Sequence, residues 1–177
     1  MRLNLLTLSI SLLLLFSCSS NDRVVSVPVT GVDITRKIAA VNKELTIADM
    51  ELIARYFQKR EWPTQNTGSG LVYYIYKSGN GAPAVKESKV QISFTISLLN
   101  GTVCYGADKP VEKEFVVGMG KEISGLEEAI LLLREGDHAI IAIPPHLGHG
   151  LLGDEGEIPP RSTIIYDVTL EKVLQNK

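Results

Sequence analysis

The alternation of apolar and polar residues in one segment restricts the fold of this chain more than any other feature. In residues 90–98, VQISFTISL, every second residue is apolar and Gln, Ser or Thr stand between. Side chains of a strand point alternately to its two faces, so the segment predicts a half-buried strand. Asn100-Gly101 follows at once and predicts a type I′ hairpin turn, with residues 102–105 as the returning strand.

Further strand signals lie on both sides of this hairpin. Residues 71–76, 114–117, 138–143 and 162–170 are rich in β-branched and aromatic residues. One segment has a helical period instead: Ser124 and Glu127 have the spacing of a capping box, and Gly136 predicts a left-handed stop. Strands with hairpin links and one helix predict an α+β domain over residues 70–177, an antiparallel twisted sheet wrapped on one α-helix.

The start of the chain has the pattern of an export signal. Arg2 is followed by an apolar stretch too short to span a bilayer, which predicts a signal peptide over residues 1–17. Residues 15–18, Leu-Phe-Ser-Cys, resemble the bacterial lipobox, in which the cysteine becomes the lipidated first residue. We therefore expect acyl chains on Cys18 to anchor the protein to a bacterial membrane, in the outer membrane and facing the periplasm.

Two segments separate this anchor from the sheet. Residues 18–32 are polar or β-branched and predict a tether, and residues 33–66 predict a helical segment. Ile34, Ile38 and Val41 have helical spacing, and Thr46 is a plausible N-cap of a second helix that Pro63 would stop. Either this segment caps a sheet edge or spaces the domain from the membrane, or it forms a docking or dimer surface.

Composition excludes several classes of partner and site. The net charge of the 177 residues is −2, without the basic excess that nucleic-acid binding needs. Cys104 is the only cysteine besides Cys18, so with Cys18 acylated we expect no intramolecular disulfide and no cysteine-based zinc site.

The loop of residues 144–160 contains two misleading patterns. Its Gly148-His-Gly150-Leu-Leu-Gly153 matches the glycine spacing of a dinucleotide-binding loop, but three acids and two prolines follow where a helix would have to begin. His146 and His149 suggest a metal pair, yet zinc needs three or four protein ligands, so a plain loop role is favoured. We predict no metal and no cofactor.

Several segments together resemble the FKBP family of peptidyl-prolyl isomerases in order and spacing. They are residues 90–95, the Asn100-Gly101 turn, and residues 115–118, 123–130, 136–137, 143–145 with Gly150, and 158–170. The lipobox and helical preface further resemble lipoprotein isomerases of Bacteroidota, including those associated with gliding motility. The resemblance implies isomerisation of X-Pro bonds in exported or envelope proteins, in an apolar pocket that favours the twisted amide.

The resemblance also implies which residues bind the proline-containing segment. Phe94 and Tyr166 would form aromatic walls, Ile123 would supply a backbone N–H donor, Leu126 would form the floor and Ile158 the rim. The implied substrate-binding set is Phe94, Tyr105, Glu122, Ile123, Leu126, His149, Ile158 and Tyr166.

Three single positions and one adjacent pair depart from the family pattern. Leu126 replaces a tryptophan, His149 a tyrosine and Lys113 an aromatic residue, and Cys104-Tyr105 stand where an aromatic residue and an aspartate are usual. These changes predict a wider pocket without its acid, weak activity or altered specificity, and poor affinity for macrolide inhibitors. Two alternatives stay open: a non-catalytic chaperone that binds proline segments, and a component of an envelope assembly such as gliding machinery. The oligomeric state is open too.

Overall fold

The computed structural model of the protein describes residues 31–174. The predicted signal peptide, Cys18 and most of the tether lie outside the described residues. The helices and strands within that range are α1 Gly31–Gln58, β1 Gln65–Asn66, β2 Val72–Lys77, β3 Lys89–Leu98, β4 Val103–Tyr105, β5 Val111–Val116, α2 Ser124–Ile130, β6 His138–Ile143, a 3₁₀ turn Pro145–Leu147 and β7 Ile164–Leu174.

One antiparallel sheet contains all seven of these strands. Its order is β1-β2-β6-β7-β3-β4, and β5 pairs with β3 on the same edge as β4. The predicted α+β fold, an antiparallel sheet with a helix, is confirmed, and β6 has the predicted bounds. The long strand β3 alternates as predicted, with Val90, Ile92, Phe94 and Ile96 all buried.

The β3–β4 turn differs from the predicted type I′. Gly101 has φ +92°, but Asn100 does not have a positive φ. The Gly101 N–H donates to the Leu98 carbonyl, and the Asn100 side-chain oxygen accepts from the Thr102 N–H. Only one residue of this turn is left-handed, because the asparagine side chain satisfies the backbone locally instead.

The predicted capping box of α2 is wrong. No side chain caps the helix, and the Ser124 hydroxyl donates to the Leu147 carbonyl, 3.3 Å away. The Glu127 carboxylate accepts hydrogen bonds from three N–H groups of the preceding loop, those of Gly118, Lys121 and Glu122. Tertiary partners therefore replace the local ones. Gly136 has the predicted positive φ, of +89°, although α2 already ends at Ile130.

Helix α2 lies directly against β6. A Cβ atom at Gly125 would be 2.4 Å from the Ile143 Cγ2 atom, so only glycine permits this approach. The buried face of the helix, formed by Leu126, Ala129 and Ile130, packs into the main core together with Ile141.

The segment before the sheet forms one helix and not two. Thr46 is not an N-cap, because it lies in the middle of α1 and its hydroxyl donates to the Asn42 carbonyl one turn back. Helix α1 ends at Gln58, before the predicted stop at Pro63. Among the helices of residues 31–174, none is long and apolar enough to cross a membrane.

The C-terminal part of α1 covers a face of the sheet and not an edge. Ile53 and Phe57 are buried in a second core cluster, which they form with Ile140, Ala142 and Ile165. These three residues belong to β6 and β7, the central strands of the sheet. Beta strand β6 is therefore buried on both faces, by α2 on one side and by α1 on the other.

We expect Phe57→Ala to lower the free energy of unfolding by about 3 kcal/mol, because it leaves a cavity against β6. Met50→Ala is the matched control on the same helix, since Met50 is exposed, and it should change that free energy by less than about 0.5 kcal/mol. Denaturant unfolding of the two variants measures both values. Equal, small effects would contradict a packed role for α1.

Candidate active site

A cleft of about 230 Å³ lies over the main core. Seven of the eight predicted pocket residues line it: Phe94, Tyr105, Glu122, Ile123, His149, Ile158 and Tyr166. The eighth, Leu126, is buried in the core and is not part of the lining, because leucine is shorter than the tryptophan expected there. Lys113, which stands where the resemblance places a pocket aromatic, also lines the cleft. The sequence did not indicate three further lining residues: Ile96, Val111 and Asp154.

Two aromatic rings form the apolar wall of the cleft. Phe94 of β3 and Tyr166 of β7 are 6% and 4% exposed, and their ring centroids are 5.1 Å apart. Burial above all, and then the carboxylates of Glu122 and Asp154, raise the pKa of Tyr166 well above its ordinary value. Its hydroxyl therefore stays protonated, and it has no hydrogen-bond partner among the described residues.

Ile123 brings a backbone donor to the same cleft. The residue directly precedes α2, with φ −59° and ψ 142°, so its N–H lies outside the hydrogen-bond ladder of the helix. Within the described part of the chain this N–H has no acceptor, whereas the Ile123 carbonyl accepts from Leu126 and Glu127. A substrate carbonyl can take the place of the missing acceptor.

The loop that closes one side of the cleft, residues 148–158, is called the flap here. Asp154 holds it to the sheet: Tyr105 of β4 donates its hydroxyl proton to Oδ2 over 2.5 Å, and Oδ1 accepts from the Gly156 and Ile158 N–H groups, both at 2.9 Å. Burial opposes the charge of Asp154, but these hydrogen bonds outweigh it and lower the pKa of the carboxyl. The same hydrogen bond raises the pKa of Tyr105.

The aspartate that the resemblance places after the hairpin is absent, since Tyr105 stands there, but two other acids line the cleft. Asp154 and Glu122 both line the cleft, and Glu122 forms a 2.6 Å ion pair with Lys113 of β5. Asp154 was missed because it lies 49 residues from Tyr105 in the chain. The run of acids after Gly153 was its only signal, and in the sequence that run served as an argument against nucleotide binding.

The two loop histidines have separate environments. The His146 Nε2 atom is hydrogen-bonded to the Ser69 carbonyl at 2.9 Å, while His149 lines the cleft. Among residues 31–174, no three His, Cys, Asp or Glu side chains are grouped so that they could hold a metal ion.

Comparison with known proteins identifies the family. The family model for FKBP-type peptidyl-prolyl cis-trans isomerases matches residues 81–171. The chain belongs to this family.

Relatives of known name agree with this assignment. The chain is 33% identical over 107 residues to an FK506-binding protein of Neisseria meningitidis serogroup B, across 60% of this chain and 98% of that protein. A probable FKBP-type isomerase, FkpA, from the same organism is 32% identical over 109 residues, which cover 62% of this chain but only 40% of FkpA. These homologues support peptidyl-prolyl isomerase as the enzyme class.

A solved structure shows the same fold. A peptidyl-prolyl isomerase from Pseudomonas syringae pv. tomato superposes with a TM-score of 0.62 at 19% identity, covering 75% of this chain and 96% of that one. The FKBP fold of the chain therefore rests on its shape as well as on its sequence.

The flap glycines, which resemble a nucleotide-binding loop in spacing, let the backbone of this FKBP turn beside the cleft. Gly150 has φ +62° and open space where a Cβ atom would lie. Gly153 has φ +77°, and a Cβ atom there would be 2.3 Å from the Ile158 carbonyl oxygen. Gly153 thus allows two flap segments to touch.

This pair offers a matched test of the flap. Gly150→Ala should cost about 1 kcal/mol of unfolding free energy, the usual penalty for a left-handed residue with a Cβ atom. Gly153→Ala should cost clearly more and should also lower isomerase kcat/KM, because the Ile158 backbone at the rim has to move. Thermal unfolding and a proline-peptide assay measure the two effects, and equal effects of the two variants would contradict the close contact.

Proposed function

We propose that this cleft isomerises X-Pro bonds by binding the amide in its twisted form. One observation carries the proposal: the apolar wall of Phe94 and Tyr166 and the unpaired Ile123 N–H line the same cleft. Prolyl isomerisation needs neither a nucleophile nor a base, because no covalent bond is broken.

The chemistry follows from amide resonance. The planar amide resists rotation with a barrier of about 20 kcal/mol. Twisting removes the resonance and leaves a less polar group. Transfer of the twisted amide out of water therefore costs less free energy than transfer of the planar amide. Buried aromatic walls therefore bind the twisted amide more tightly than the ground state, and this difference accelerates rotation. The Ile123 N–H orients the substrate by donating to one of its carbonyls.

The charged side chains of the cleft set its selectivity and lower its rate. Lys113 stands where an aromatic residue is common in the family, and its ion pair with Glu122 puts charges beside the apolar wall. Polar groups there raise the cost of bringing an apolar ring close. We therefore propose weaker activity than in relatives with a fully aromatic pocket, and poor affinity for macrolide inhibitors.

A variant that removes the donor, compared with one that keeps it, tests the mechanism. Ile123 already has φ −59°, close to the value that proline requires. Ile123→Pro should lower kcat/KM for a short proline peptide about tenfold, the effect of one lost hydrogen bond of roughly 1.4 kcal/mol.

Ile123→Ala is the matched control, since it shortens the side chain but keeps the N–H, and it should retain most of the activity. Circular dichroism confirms that both variants fold. Wild-type activity of Ile123→Pro would refute the donor role, and a wild-type rate equal to buffer at high enzyme concentration would refute the isomerase proposal altogether.

Binding without catalysis is the second candidate, and the expected loss of the acid after the hairpin was its main support. That aspartate is absent, but Asp154 and Glu122 place other acids in the cleft, which weakens this support. The two candidates differ in one measurement, since a pure chaperone would slow aggregation of a client without shortening its proline-limited refolding phase.

We further propose that the protein works at the bacterial envelope on exported proteins, anchored through Cys18. The lipobox after a short apolar segment supports this, together with the tether before α1. The resemblance to Bacteroidota lipoproteins extends the proposal to an envelope assembly such as gliding machinery, with proline-containing segments of its proteins as substrates.

Replacement of the cysteine tests the anchor. The chain with Cys18→Ser, expressed in a bacterium that processes lipoproteins, should lose incorporation of labelled palmitate and move from the membrane to the soluble fraction. Cys104→Ser is the matched control and should change neither property. Membrane retention of Cys18→Ser without labelling would contradict lipidation as the anchor.

A further inference from the structure

A second recess lies on the other side of the flap. It is a groove of about 250 Å³ between α1 and the flap, lined by Asn42, Leu45, Thr46, Asp49, Pro145, His146, Gly150, Leu151 and Arg161. The groove and the cleft lie on either side of the flap backbone, since His149 lines the cleft and the next residue, Gly150, lines the groove. Consecutive Cα atoms are about 3.8 Å apart, so the two recesses are neighbours.

The polar side chains of the groove are largely paired within the protein. Arg161 donates to both carboxylate oxygens of Asp49 at 3.1 Å, His146 is bonded to the Ser69 carbonyl, and the Thr46 hydroxyl donates to the Asn42 carbonyl. The apolar surfaces of Leu45, Pro145 and Leu151 are what the groove offers to a ligand. Its chemistry therefore favours apolar side chains.

Two neighbouring leucines of the flap expose apolar surface beside the groove: Leu151 lines it, and Leu152 is the next residue. Leu151 and Leu152 are 74% and 79% exposed, the highest values among large apolar side chains of the described residues. They lie between His149 and Asp154, both of which line the cleft. Exposed apolar surface of this kind costs free energy in water and is typical of interaction sites.

The groove is held in shape before any ligand arrives. The Arg161 N–H donates to the Gly150 carbonyl and the Gly150 N–H donates to the Pro145 carbonyl, both at 2.9 Å. Arg161 adopts φ +56°, a conformation that is unfavourable for a residue with a side chain. Preformed walls reduce the ordering cost of binding.

We propose that the groove and the two leucines bind an apolar stretch of the same polypeptide whose proline occupies the cleft. This inference rests on the proposed isomerase function and names its substrate class: partly unfolded chains with apolar residues near the proline. Continuity across the flap supports this occupant. The groove is smaller than the roughly 300–1,000 Å³ of typical small-molecule pockets, and it suits side chains of a strand that crosses the flap.

Proline peptides that differ only in the residues flanking the proline test the inference on the full-length protein. One short proline peptide is compared with longer ones that add leucines or serines on either side of the same proline. The wild type should isomerise a leucine-extended peptide with a kcat/KM about tenfold above its serine-extended partner, corresponding to about 1.4 kcal/mol. The double variant Leu151→Ser/Leu152→Ser should lose this preference and keep its rate on the short peptide.

Val85→Ser is the matched control, because Val85 is also apolar, is 48% exposed and lines none of these recesses. It should keep the preference for leucine. No preference in the wild type, or a preference that survives in the double variant, would overturn the inference. So would sedimentation showing a dimer that the leucine substitutions dissociate, since the leucines would then bind a second copy of the chain.

A failure of the isomerase proposal is distinguishable from a failure of the groove inference. If no peptide, the short one included, rotates faster than in buffer, the catalytic proposal fails. Fluorescence anisotropy of the labelled leucine and serine peptides then still decides whether the groove binds apolar flanks.

Discussion

Burial of β6 on both faces is the constraint on which the rest of the structure depends. Side chains alternate along a strand, so Ile141 and Ile143 face the main core while Ile140 and Ala142 face the opposite side. Helix α2 covers the first face, where Gly125 permits contact, and the C-terminal part of α1 covers the second. The strand leads straight into the loop that carries the flap, so both helices indirectly fix where the flap begins.

The flap is tied to the domain at several points, and this gives the site its shape. Asp154 joins it to Tyr105 on the sheet, and Arg161 joins Gly150 to Asp49 on α1. The same hydrogen-bonded loop therefore forms a wall of both recesses, the cleft on one side and the groove on the other. A helix that lies outside the matched residues 81–171 thus contributes directly to a surface beside the active site.

Patterns that depend on a few neighbouring residues predicted much of this fold. The alternation in β3 and the apolar run of β6 predicted their strands. The unbroken run His-Ala-Ile-Ile-Ala-Ile was also a sign of burial on two faces, because one-sided strands alternate. The capping predictions were wrong where the residue had another hydrogen-bond partner. Ser124 bonds to the distant Leu147 carbonyl, and Glu127 bonds to N–H groups of the preceding loop. Thr46 bonds within a longer helix.

The sequence by itself determined the fold class through its periodicity, because periodicity records which side chains share a face. The resemblance of its ordered motifs indicated the family and, through it, seven of the residues that line the cleft. Only the tertiary structure decided that Leu126 lies below the cleft surface, that Asp154 brings an acid to the cleft, and that α1 packs on a sheet face beside the flap. Each of these depends on a distance between segments far apart in the chain. A hydrogen bond is sensitive to a few tenths of an ångström, and no pattern of neighbouring residues specifies such a distance.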